Sequence, residues 1–131
     1  MADEGVITVV PHEKALVLDV NRRTLDESST RELVDEVMYE ASQRVGVPIV
    51  IDLHRVAFAP SVALGALVQL SKSFKLDQRR ITLIGVQDRI QNAIRVTQLH
   101  KVLEIHQSLE QIVDPQPAES GGRKRRRTKL D

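Results

Sequence analysis

Ser61 is the residue of this chain best placed for chemistry. It follows Phe58-Ala59-Pro60, precedes Val62-Ala63-Leu64-Gly65, and comes shortly after the apolar run Val47-Pro48-Ile49-Val50-Ile51-Asp52-Leu53. The pattern is a β-branched strand, a short loop, and a serine where a long apolar helix begins. A hydroxyl there sits beside backbone N–H groups that lack intrahelical acceptors, at the positive end of the helix dipole. A negative group is favoured at that point, and a reversible phosphate suits it better than a metal or a substrate pocket. The simpler reading is that Ser61 is the helix N-cap, with Pro60 holding Ala59 extended. The two readings are compatible, because a phosphate at a helix start changes what can dock there without unfolding anything.

Other residue patterns point to less. His12, His54, His100 and His106 lie on four separate segments without a metal-binding spacing, and read as surface or capping residues; no metal is expected. Ala59-Pro60-Ser61-Val62-Ala63 is not the G-x-S-x-G elbow of a hydrolase, and no His–acid pair can be tied to it. Gly85-Val86-Gln87-Asp88-Arg89-Ile90 has one glycine and no following Lys-Ser/Thr, so it is not a phosphate-binding loop and no cofactor is implied. His54-Arg55 and Arg79-Arg80 flank strand ends; each pair reads as solvated surface, or alternatively as a contact for a partner or phosphate. With no cysteine, the chain offers neither a disulfide framework nor a thiolate.

The charge is unevenly spread. Arg123, Lys124, Arg125, Arg126, Arg127 and Lys129 form the one strong charge run and account for six of the 19 basic residues; the remainder of the chain is mildly acidic. This run reads as a solubilising terminus or as a weak, salt-sensitive tether to nucleic acid, anionic lipid or an acidic protein. Tyr39, Phe58 and Phe74 are the only aromatic residues, too few to stack single-stranded bases. The start is acidic and unlike a signal peptide, and the longest uncharged stretch, 56–71, is shorter than the roughly 20 residues of a membrane span. A cytoplasmic protein that is not integral to a membrane is expected.

The elements that must position Ser61 follow from periodicity. Segments 6–10 and 15–20 read as a hairpin, then a helix over about 28–44 with Leu33, Val34, Val37, Met38, Ala41 and Val45 as its apolar stripe. Ser29 and Glu32 have capping-box spacing, and Gly46 with Pro48 ends the helix. A strand at 49–53, a helix over about 61–75, a strand at 81–85, a helix over 88–96 with Ile90, Ala93, Ile94 and Thr97 on one side, and a short strand at 102–105 come next. Ser108 with Gln111 suggests a second capping box opening a last short helix. The helix at Ser61 is apolar nearly all round, so either it is packed on both sides or its first turn, at Val62 and Leu64, faces a partner. Alternation of strands and helices predicts one α/β domain over 5–113: a mixed sheet, N-terminal hairpin plus mostly parallel strands, flanked by about four helices. Residues 114–131 have linker composition and then the basic run, and are expected to be a disordered tail.

The stretch from Ile49 to Leu67, with Ile81-Thr82-Leu83-Ile84-Gly85-Val86 and Val96 to Ile105, resembles the STAS domain, whose best-known soluble members are bacterial anti-sigma-factor antagonists. The resemblance implies a non-enzymatic signalling module that binds a serine kinase acting as an anti-sigma factor, of the ATPase-kinase type, and releases it on phosphorylation of the serine that matches Ser61. Pro60, Ser61, Val62 and Leu64, with His54 and Arg55, are then the expected partner-binding residues. Where the family usually has Asp before the serine and Ser then Gly after it, this chain has Pro60, Val62 and Ala63. That departure leaves open a constitutive scaffold or an accessory subunit of a signalling or transport assembly, in which Ser61 only caps its helix.

Overall fold

The computed structural model describes residues 5–113. Four strands, β1 (Ile7–Val10), β2 (Leu16–Val20), β3 (Ile49–Asp52) and β4 (Ile81–Ile84), form one sheet in the order β1-β2-β3-β4. β1 runs antiparallel to β2, with Ile7 opposite Val20 and Val10 opposite Val17, while β2–β3 and β3–β4 are parallel. Parallel neighbours need a crossover, and helices α1 (Glu27–Gln43) and α2 (Ser61–Leu76) supply the two. α3 (Asp88–Val96), a 3₁₀ turn (Leu99–Lys101) and α4 (Glu110–Val113) complete the order.

Near-continuous apolar sequence in β2, β3 and β4 is explained by burial on both faces. Leu16, Leu18, Ile49, Ile51 and Leu83 turn one way, into a core shared with Leu33 and Val37 of α1, Leu64, Leu67 and Phe74 of α2, and Ile90 and Ile94 of α3. Val17, Val50 and Ile84 turn the other way, where α4 covers them with Ile112. α2 is therefore apolar on several sides because it packs against both the sheet and α1.

Local chemistry departs from expectation at several ends. Asp26, not Ser29, caps α1: its carboxylate accepts the Ser29 N–H (2.8 Å) and faces the Ser29 hydroxyl (2.9 Å). Asp26 stands three residues before Ser29, the spacing a cap needs, and that leaves Ser29 inside the first turn. These bonds, the backbone one foremost, hold the Asp26 carboxyl below its usual range. α1 ends at Gln43, so Val45 lies outside the stripe and is 76% exposed, and Met38 is also exposed. Arg79 is no solvated surface residue. Its guanidinium donates to the Ala41 (2.7 Å), Val47 (3.1 Å) and Arg44 carbonyls, placing a cation at the carbonyl end of α1.

No strand forms at 102–105. Val102 ends the 3₁₀ turn in a helical conformation, and only an isolated parallel bridge joins Ile105 to Leu83. Arg80 instead reaches across this edge to the Glu104 carboxylate with Nε (2.9 and 3.0 Å) and a second short contact from Nη2. The arginine holds the Glu104 carboxyl below its usual range, helped by His106 at 2.9 Å. Thr97 lies past α3 as its C-cap, its hydroxyl donating to the Ala93 carbonyl (2.7 Å). At α4 the Gln111 side chain accepts the Gln107 N–H (2.9 Å), one residue before the partner that a Ser108 capping box requires.

Candidate functional site: the head of helix α2

The loop from β3 to α2 is sutured to the segment before α1. Arg23 accepts the amides of Ala57 (2.7 Å) and Phe58 (3.1 Å), and the Phe58 carbonyl accepts the Leu25 N–H (3.0 Å), making a parallel bridge at Thr24 and Phe58. A loop tied at both sides presents its side chains in a fixed arrangement. Arg89, in the first turn of α3, lies 4.7 Å from the centre of the Phe58 ring, within cation–π range. A shallow groove of about 320 Å³ opens here between Phe58, Pro60, Arg89 and Ala93.

Ser61 is exposed and is the first residue of α2. The N-cap is Pro60 (φ −64°, ψ 174°), and no side chain caps the helix. The Pro60 carbonyl accepts the amides of Ala63 (2.8 Å) and Leu64 (3.1 Å) and so starts the helix without the serine. The expectation of a serine cap is thereby corrected: one step inside the helix, its hydroxyl stands past the position from which a cap turns back to the next turn's amides. Val62 is 45% and Phe58 47% exposed, so a large apolar side chain is exposed on either side of Ser61 in the chain. Leu64 is 5% exposed and belongs to the core, so the expectation that it faces a partner is corrected; α2 turns about 100° per residue, and Val62 and Leu64 cannot share a side.

His54 and Arg55 are brought together elsewhere, at the end of β3, with two residues that sequence reasoning passed over. Asp19 and Asp52 are directly paired neighbours on β2 and β3. His54 Nδ1 lies 2.9 Å from Asp52 Oδ1 and 3.8 Å from Asp19 Oδ1, and the Arg55 Nε donates to Asp19 Oδ2 (3.3 Å). Two carboxylates side by side repel, and the His54–Arg55 turn offsets that. Asp19 Oδ1 is nonetheless buried and takes no hydrogen bond from any described residue. Such an acceptor ordinarily costs about 1–3 kcal/mol. Each aspartate interrupts an apolar run, Leu16-Val17-Leu18-Asp19-Val20 and Ile49-Val50-Ile51-Asp52-Leu53, which is the one signal in the sequence that could have marked the pair. The basic tail, Arg123 to Lys129, lies outside the described residues.

The family model for the STAS domain matches residues 7–112. The chain belongs to the STAS domain family. Among solved structures, this STAS domain is similar to the anti-sigma factor antagonist SpoIIAA in its unphosphorylated form, at 13% identity and a TM-score of 0.65 over 82% of this chain and 93% of that one. It is also similar to the Bacillus cell fate determinant SpoIIAA in the phosphorylated form, with 13% identity and a TM-score of 0.59 over 82% of this chain and 96% of that one. The murine Slc26a9 anion transporter matches at 14% identity and a TM-score of 0.64, over 73% of this chain but 16% of the transporter. At these identities the likeness is one of fold. No described helix of this STAS domain is long and apolar enough to cross a membrane.

Proposed function

We propose that this STAS domain is a non-enzymatic signalling module of the bacterial cytoplasm, an anti-sigma-factor antagonist. It binds an anti-sigma factor of the ATPase-kinase type through the surface at the head of α2 and is switched off by phosphorylation of Ser61. One observation carries the reading: Ser61 is exposed at the start of a helix that no side chain caps, between the exposed Phe58 of the tied loop and the exposed Val62 of α2. A phosphoserine brings nearly two negative charges, which the helix start tolerates and an apolar interface does not. That SpoIIAA shares the fold and exists in both phosphorylation states supports the same reading.

Incubation with the cognate kinase and ATP, followed by intact-mass measurement, is expected to show one added phosphate that disappears in Ser61→Ala. Ser61→Glu is expected to weaken the complex at least tenfold, whereas Ser61→Ala binds normally and ignores ATP. A mass gain that survives in Ser61→Ala puts the phosphate elsewhere. Binding indifferent to Ser61→Glu favours the second reading, a constitutive scaffold or accessory subunit, which the non-acidic neighbours Pro60 and Val62 and the fold likeness to part of an anion transporter support. Tethering to nucleic acid or an anionic surface through Arg123 to Lys129 predicts instead an affinity lost on removing residues 121–131 and falling steeply with salt.

A further inference from the structure

We propose that Asp19, Asp52 and His54 form a binding site for a late first-row divalent cation, zinc being the best match. Along the chain these residues make no metal motif; the parallel register of β2 and β3 and the turn after β3 bring them together. One ligand atom from each lies within 4.8 Å of the other two. His54 Nδ1 stands 2.9 Å from Asp52 Oδ1 and 3.8 Å from Asp19 Oδ1. Ligands on a common zinc with bonds of about 2.1 Å sit about 3–3.5 Å apart, so the His54–Asp52 pair would open and the His54–Asp19 pair close, each by a few tenths of an ångström.

Three features separate this cluster from a chance meeting of charges. First, Asp19 Oδ1 is buried without a hydrogen bond from any described residue, while the other oxygen of the same carboxylate is already taken by Arg55. The oxygen left over is the one near His54. Second, the cluster is fixed in place: the His54 backbone N–H donates to Asp52 Oδ1 (3.0 Å), using one of that oxygen's two lone pairs, and Gln87 Nε2 donates to the His54 carbonyl (2.8 Å). Such outer bonds orient metal ligands. Third, Gly85, at φ +67°, roofs the cluster; a Cβ there would come within 2.6 Å of Asp52 Oδ1. A side chain at this position would collide with the proposed ligand oxygen, which glycine avoids.

The donor set names the ion class. One imidazole with two carboxylates suits zinc, cobalt or nickel, whereas magnesium and calcium prefer oxygen alone. An ion on Nδ1 would replace the hydrogen bond between Nδ1 and Asp52 Oδ1 (2.9 Å), with the imidazole then carrying its one proton on Nε2, toward solvent; the side chain is 51% exposed. With Arg55 beside it, the site carries a net charge of −1 before an ion binds, which a divalent cation overcompensates by one.

The full chain, stripped with a chelator, is to be titrated with zinc chloride by calorimetry, and with magnesium chloride as a control. One equivalent of zinc is expected to bind, at least tenfold more weakly in Asp19→Asn and in His54→Gln, and magnesium is expected neither to bind at the same concentration nor to displace zinc. On the unmodified isotope-labelled chain, substoichiometric cobalt(II) is expected to broaden the His54 ring and the Gly85 and Gln87 amides first, a result that does not depend on any variant folding. Absence of zinc binding, unchanged affinity in both variants, displacement by magnesium, or broadening centred on His12, His100, His106 or the tail would each overturn the proposal.

Discussion

At position 61 the difference between capping a helix and starting one decides what the hydroxyl can do. Pro60 opens α2 through its carbonyl, which leaves Ser61 exposed with the amides of the first turn beside it. A negative charge there interacts favourably with the helix dipole by about 0.3–1 kcal/mol. Ser61→Asp is therefore expected to raise unfolding stability by about 0.5 kcal/mol in urea denaturation while weakening partner binding. A loss of stability greater than about 1 kcal/mol would mean that the charge acts by loosening the fold rather than by changing the surface. Val62 and Leu64 show how one residue's place on a helix sorts function from packing: two positions apart, one is exposed and the other buried.

At the scale of the element, helix ends were the least legible part of the chain. α2 closes with Gln78 in the left-handed region (φ 58°), its N–H bonded to the Lys75 carbonyl (2.9 Å) and the Arg79 N–H to the Phe74 carbonyl (2.8 Å). That pair of bonds is a Schellman motif, whose left-handed position usually holds glycine. Gln78→Gly is accordingly expected to stabilise the protein, by roughly 0.5–1 kcal/mol in chemical denaturation, because the Cβ strain exceeds the entropy glycine adds. α1 ends differently: its C-cap Arg44 is extended (φ −141°, ψ 98°), and Gly46, at φ +85°, turns the chain two residues beyond it. What the sequence does not show there is Arg79, 35 residues beyond Arg44, bonding three carbonyls around that end.

Across the whole molecule, the sheet has two unlike edges. β1 is bounded at its start by Glu36, which accepts the amides of Val6 (3.0 Å) and Ile7 (2.9 Å), and Pro11 follows at its end without an N–H to offer. On the β4 edge the Leu83 N–H donates to the Glu104 carbonyl and the Leu83 carbonyl accepts the His106 N–H (2.9 Å each), and the Arg80–Glu104 ion pair ties the same segment to the strand's start. The arginine lowers the Glu104 pKa from an ordinary 4.5. A carboxyl depressed on folding contributes stability that is present above its unfolded pKa and lost as pH falls through the folded one. Melting curves should therefore drop as pH falls below about 4.5, and Glu104→Gln should melt lower at pH 6 yet lose less on acidification, the two curves converging at low pH. Parallel curves at all pH values would show that this pair does not link the edge to the fold.

The order of strands and helices, the parallel core of the sheet and the place of Ser61 at a helix start were all legible in the residues, because periodicity and β-branched runs act over a few neighbouring positions. The pairing of Asp19 with Asp52, the suturing of Arg23 to the serine loop, the bonds from Arg79 to α1 and the failure of 102–105 to continue as a strand were not. Each depends on which residues, 30 or more apart in most cases, the strand register and the crossovers bring within about 3 Å, the reach of one hydrogen bond. Local sequence determined which segments form and which side of each is apolar. The tertiary structure alone decided which polar groups meet, and with that which of them are spent on holding the fold and which are left to bind something else.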